Sequence, residues 1–516
     1  MSGEGADARV SRRGVLQGVA AGVVLAGSGV AVAEAPGSGG SPAAARRVAL
    51  SSDPVLHAVR RLSYGPTPAL LDHVRAIGVD AWLDEQLAPE LLADVEVERI
   101  LATFPTLKMS NAVIATAYAD DRKTVLRELQ AATVVRAVWS TRQLSELMVE
   151  MWSNHLHIHA QNQHALLLKT VDDRDVIRPH ALGRFADLLA ASARSPAMLT
   201  YLNNWRSSGT NPNEDYGREL LELHTLGVDG GYTEADVANV ALALTGWDVD
   251  RSTWDFAYRP ERHYVGPLKV LGWRHANADA ADGVSTGLSL LDYLAHHPST
   301  ARHIARRICV RFVSDSPPPS LVASAAKVYL AEDTAIKPVL RHVLGSSAFR
   351  NSVGMKFRRP VELLAASVRA LGARYDVGGR SDAAADLLFL LQGLGQPPFG
   401  WQTPDGYPDR ASFWISTQAM LQRWNMEQHL AVLGVRGLSG PRLDTVVAAP
   451  AAKTVGELVD ALCERLAFQR FTDEHRSALV AATGKSAPAT LTSADVARLA
   501  PAIGALVLSS PYLQLR

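Results

Sequence analysis

Gln143-Leu144-Ser145-Glu146-Leu147-Met148-Val149-Glu150-Met151-Trp152-Ser153-Asn154-His155-Leu156-His157-Ile158-His159 is the stretch whose periodicity decides the fold. Leu144, Leu147, Met148, Met151 and Trp152 recur at i, i+3 and i+4 spacing, which lines them along one buried face of an α-helix. The stripe continues to His155, Leu156 and His159 and leaves His157 off the face. Two histidines one turn apart can share a metal ion or a substrate pocket, because their side chains leave the helix on the same side. They can equally be core histidines held by hydrogen bonds. The run reads His-Leu-His-Ile-His and lacks the glutamate of a His-Glu-x-x-His zinc helix. The segment therefore predicts a helix over 144–160, with His155 and His159 as candidate ligands for a divalent metal ion.

The same period governs the rest of the chain. Helical patterns recur over 124–160, 179–203, 213–227, 233–246, 286–313, 319–348 and 359–372, while strand-like alternation is scarce. The expected fold is mainly α: a multi-helix globular domain with long irregular functional loops and a small C-terminal helical part. Gly-rich and Pro/Gly-rich breaks at Tyr375–Arg380 and Gly437–Pro450 divide it. The segments are then a main helical domain over 51–374, a loop-and-helix segment over 375–440 and a C-terminal helical segment over 441–516.

Ahead of these lies an address. Ser11-Arg12-Arg13-Gly14-Val15-Leu16 precedes an uncharged, weakly apolar run from Gly18 to Ala33, and Ala31-Val32-Ala33 offers a small-x-small cleavage pattern. Residues 1–34 read as a twin-arginine signal peptide and 35–50 as a flexible tether. The run is shorter than the roughly 20 residues a bilayer span needs. An exported protein in the cell envelope or outside the cell is expected, with no stable membrane span after cleavage. Lysine plus arginine equals aspartate plus glutamate, 52 each, so no global field draws the protein to nucleic acid. Two cysteines, Cys309 and Cys463, are too few for a disulfide framework.

Three further constellations carry chemistry. Within Asn211–Gly227, Asp215, Arg218, Glu219 and Glu222 share one helical face, with Asn213 as N-cap and Gly227 just past the end. Clustered carboxylates raise one another's pKa and can divide into acid and base roles. Spacing alone favours a solvated face held by the Arg218–Glu222 pair; on the functional reading, Glu219 and Glu222 are the candidate acid and base, with Arg218 to orient a carboxylate. Trp401, Tyr407, Phe413, Trp414 and Trp424 crowd a turn-rich segment beside Asp405, Asp409 and Arg410. Aromatics beside carboxylates suit a glycan or another small amphipathic ligand. Between Gly231 and Gly272, a capping motif at Thr233-Glu234-Ala235-Asp236 starts a helix that ends at Leu244-Thr245-Gly246-Trp247. An irregular segment with Trp254 and His263 follows. Trp247, Trp254, His263, Trp401, Tyr407 and Trp414 are the candidate substrate contacts. The chain has no phosphate loop and no dinucleotide glycine fingerprint after a strand.

These landmarks, in this order, resemble the bacterial family known as domain of unknown function 1800. The matching pieces are Arg60–Pro68, Met151–His155, Asn211–Glu214 through Arg218–Leu223, Thr225–Gly227, Gly231–Val237, Leu244–Trp247, Arg359–Glu362, Leu394–Phe399 and Leu508–Tyr512. The resemblance implies export and a co-encoded exported partner of sulfatase-like fold, and it implies no particular activity. The chain departs from the pattern where Tyr264 follows His263 in place of an aspartate, and where the loop after Phe399 lacks a double proline and Lys-Gly-Trp.

The leading expectation is an exported hydrolase acting on cell-envelope or extracellular glycan through Glu219, Glu222 and Arg218. A metal- or redox-cofactor protein using His155 and His159 is the second. A non-enzymatic assembly partner for the co-encoded protein is the third.

Overall fold

The computed structural model describes residues 48–162, 164–378, 382–448 and 452–516. The signal peptide and almost all of the tether lie outside the described residues. The chain is mainly helical, as its apolar period requires. Local signals set the helix starts. Thr67 accepts from the Leu70 amide at the head of Pro68–Ile77, and Thr233 with Asp236 forms a complete capping box on Glu234–Ala243. Prolines divide the longer patterns. The 179–203 stretch becomes Phe185–Ala193 and Pro196–Tyr201, and 286–313 becomes Gly283–Ala295 and Pro298–Phe312. Proline lacks the amide that would continue a preceding helix, yet its fixed φ suits the first turn of a new one.

One apolar core runs from Leu56 to Leu513. At its centre lies Pro360–Leu371, buried along its whole length and packed against Arg122–Trp139, Thr417–Ala431 and Val455–Ala467. The long C-terminal helix Ser493–Ser509 packs on Thr417–Ala431 and Val455–Ala467. No helix of the described residues is long and apolar enough to cross a membrane.

Three expectations need correction. The helix expected over 144–160 spans Gln143–His155, and Leu156 leaves helical geometry, so His159 is not one helical turn above His155. The helix expected over 213–227 is α-helical only over Asp215–Glu219 and continues as a π-helix over Leu220–Thr225. A π-turn bonds i to i+5 and so takes more residues per turn than an α-helix, and the face drawn at 100° per residue fails beyond Glu219. The segment read as irregular after Trp247 instead builds two small antiparallel pairs. Trp247–Val249 pairs with Phe256–Tyr258, and Leu268–Val270 pairs with Trp273–His275.

Candidate active site

The π-helix organises its surroundings. In a π-turn the carbonyl ladder is out of step with the α-ladder on either side, and its oxygens seek other donors. Thr225 Oγ1 donates to the Leu220 carbonyl at 2.6 Å, and His155 Nε2 lies 2.9 Å from the His224 carbonyl. His303 reaches the Leu223 carbonyl from the helix Pro298–Phe312. His155, His224 and His303 thus form a nest, with the His155 ring 5.6 Å from His303 and 6.4 Å from His224. Burial comes first and lowers all three; the Arg307 guanidinium adds to it in each, with neighbouring imidazoles acting on His155 and His224 and Arg306 on His303. His224 falls to about 3 and His303 to about 4. His155 is a neutral core residue that holds the two helices together. Among the described residues, no group of three or more His, Cys, Asp or Glu side chains is placed to hold a metal ion.

His159 sits apart, beyond the helix end and only partly buried, and its backbone amide faces the Tyr201 hydroxyl oxygen. Tyr201 leads to the carboxylates. Its hydroxyl is 3.4 Å from the Gln402 carbonyl, and its pKa is pushed up to about 12. Burial is the main cause; the Glu219 and Asp405 charges add to it, against the hydrogen bond from the His159 amide.

Glu219 is half-buried and has no hydrogen bond or ion pair among the described residues. Its pKa is raised, first by burial and then by the charge of Glu222, with Asp215 and Asp405 adding to the push and Arg218 opposing it. Glu222 accepts from the Tyr232 hydroxyl at 3.3 Å. Arg218 is otherwise engaged. Its guanidinium makes two bonds, 2.6 and 2.8 Å, to Glu234, which leaves its fork occupied rather than turned to a ligand.

Asp405 comes from the 400–408 loop, which docks on the end of the histidine helix. A side chain at Gly406 would lie 2.1 Å from the Asn154 carbonyl, and its φ is +71°. Only glycine fits there. The Tyr407 amide donates to Asn154 Oδ1 at 3.1 Å, and His157 Nε2 bonds the Trp401 carbonyl at 2.8 Å. The Trp401 indole then donates to Asp405 at 2.8 Å, with Thr403 on the same oxygen. Of the loop aromatics, Trp401 stays partly exposed, whereas Tyr407 and Trp414 are buried and bond the Pro397 and Pro408 carbonyls.

The other aromatic candidates lie elsewhere. Trp247 is fully buried and presents no face to a ligand. Trp254 stacks near His164, and its carbonyl accepts from Asn111. His263 is buried between Thr245 and Asn277, with both ring nitrogens in contact. These three stiffen the hairpin region. Gly283-Val284-Ser285-Thr286-Gly287 has the spacing of a serine-hydrolase elbow, but it forms the first turns of a helix with Ser285 bonded to the Asp282 carbonyl.

Beneath the loop is a buried ionic network that the sequence reading passed over. Arg311, Arg359 and Arg516 converge on Glu362; Arg359 also grips Glu150 at 2.6 and 2.9 Å. Lys356 joins Asp315 at 2.6 Å and Asp409 at 2.9 Å. Although burial works the other way, Lys356, Arg359 and Arg311 hold Asp409 well below the usual carboxylate range. Its legible signal was Arg358-Arg359-Pro360-Val361-Glu362, a charged pair at the head of an otherwise apolar helix.

The family model described as protein of unknown function (DUF1800) matches residues 57–515, so the chain belongs to that family. No curated protein and no solved structure matches it.

Proposed function

We propose that this DUF1800 member is an exported glycoside-type hydrolase whose acid–base chemistry is centred on Glu219. One observation carries the reading: a half-buried carboxylate with no partner of its own, raised in pKa and set within electrostatic reach of Glu222 and Asp405. A carboxylic acid that holds its proton to higher pH than an ordinary glutamate is suited to donation to a leaving glycosidic oxygen. An ionised neighbour, Glu222 or Asp405, then activates water or stabilises the positive charge that develops on the sugar ring. Trp401 sits beside Asp405 with part of its ring free, and such a ring can stack on a sugar face. The metal reading draws less support, because His155 is bound to the His224 carbonyl and His159 stands beyond the helix end.

The test is reducing-end release from cell-wall and extracellular polysaccharides by the mature chain. Glu219→Gln keeps the volume and removes the proton. It should lower turnover by roughly 10²- to 10⁴-fold, the usual contribution of a general acid. Unchanged turnover in that variant, or no release from any glycan, would overturn the assignment. Export is tested separately. Arg12→Lys with Arg13→Lys should leave a precursor in the cytoplasm, and normal secretion of that variant would refute the twin-arginine route.

A further inference from the structure

His303, Arg307 and Arg311 follow one another at intervals of four along Pro298–Phe312, on one stripe of the helix. The ends of the stripe are fixed by contacts. His303 bonds the Leu223 carbonyl of the π-helix, and Arg311 pairs with Glu362 and lies 3.8 Å from Asp409. Arg307 is therefore held between the helix that carries Glu219 and the loop that carries Asp405 and Asp409. It lies deep in the protein, yet it keeps some contact with solvent. No hydrogen bond or ion pair reaches its guanidinium among the described residues, and the acids around it are committed elsewhere. Glu150 is gripped by Arg359, Asp409 by Lys356, and Asp405 by Trp401 and Thr403. Those carboxylates attract Arg307 only at longer range.

An arginine fork without a counter-ion, largely buried and reached by solvent only in part, is poorly neutralised. A planar anion that brings two oxygens satisfies it in a way that water does not. We infer that Arg307 is the anchor for a carboxylate on the substrate, so that the glycan acted on is an acidic one. This inference rests on the hydrolase reading for the substrate's identity, and the unpaired guanidinium supports it independently as an anion site. The chemistry is a carboxylate on a sugar, either a uronate ring or a lactyl ether.

Binding to the mature chain separates the two sources. One arm uses oligogalacturonate against its methyl ester, and the other uses a muramic-acid disaccharide against its carboxamide. One acidic probe should bind more tightly than its blocked counterpart by roughly ten- to a hundredfold, the worth of a charged hydrogen-bond pair. Arg307→Met should remove that difference, while Arg307→Lys should keep part of it. Glu219→Gln should leave the difference intact and lose only hydrolysis. If both acidic probes bind no better than their blocked forms, the inference fails, whatever the variants do. It fails equally if Arg307→Met folds and retains the preference. Hydrolysis persisting in Glu219→Gln would instead remove Glu219 from the acid's role, and no hydrolysis of any glycan by the unaltered chain would remove the hydrolase reading; either leaves the anion site standing.

Discussion

Glu219 owes its raised pKa first to burial and then to its acidic neighbours, and one of those neighbours can be neutralised without touching the helix. Asp405 is exposed at the loop, so Asp405→Asn is a mild change for stability. It removes a negative charge that disfavours the ionised form of Glu219, and the Glu219 pKa should fall. If Glu219 acts as a protonated acid, the alkaline limb of the pH–rate profile depends on that pKa and should move to lower pH. A limb that stays in place, or one that moves to higher pH, separates Asp405 from the acid. Arg218 shows the opposite case of a residue whose role depends on its partners. Spacing put it among the carboxylates as an orienting cation, whereas the fold gives its fork to Glu234 on the next helix. Sequence spacing sees i to i+4 neighbours and is blind to a partner 16 residues away across a turn.

At the level of elements, helix existence was legible and helix endings were less so. The apolar stripe Leu144–Trp152 placed the histidine helix, but nothing in the period marked its end at His155. That end is tertiary: the 400–408 loop packs onto Asn154 and leaves no room for another turn. The π-helix at Leu220–Thr225 was likewise illegible, since its carbonyls find their donors on His155 and His303, far away in sequence. Loop docking gives a test. Gly406→Ala forces a methyl group against the Asn154 carbonyl at a positive φ, a strain of about 1–3 kcal/mol. The melting temperature should fall by several degrees. Turnover should fall further than that loss explains, because Asp405 and Trp401 ride on the same loop. Wild-type turnover in the folded variant would show that the loop's position is immaterial to catalysis.

Across the whole molecule, polar groups are held inside by two different means, and the difference sets the response to acid. The network around Glu362, Arg311 and Arg359 keeps its charges by pairing them, while the imidazoles keep theirs off. The network's residues were visible one by one in the sequence, but their convergence joins segments from Glu150 to Arg516 and only the fold reveals it. His57, His157 and His303 are lowered to about 4 and His224 to about 3, chiefly by burial. At pH 7 these groups are neutral whether the chain is folded or not, so they impose no penalty. Between their ordinary value of 6.5 and about 4, the unfolded chain takes up protons that the folded chain refuses. Each such proton costs the folded state about 1.4 kcal/mol per pH unit. Glu427, Glu219 and His296 oppose the trend, because their pKa values are raised and their folded forms gain on acidification, but the lowered imidazoles, His155 among them, outnumber them. Below pH 4 the paired carboxylates Glu362, Asp409 and Asp173, whose folded pKa values are depressed, remove stability in turn. Urea midpoints should therefore hold steady above pH 7 and fall progressively from pH 6.5 downward, before ordinary carboxylates titrate. Replacing His57 with Phe, which retains a ring against Phe349, should flatten the slope between pH 6.5 and 4 by about one proton's worth. A midpoint that stays level down to pH 4.5 would mean that the imidazoles are protonated in the folded protein, contrary to their burial.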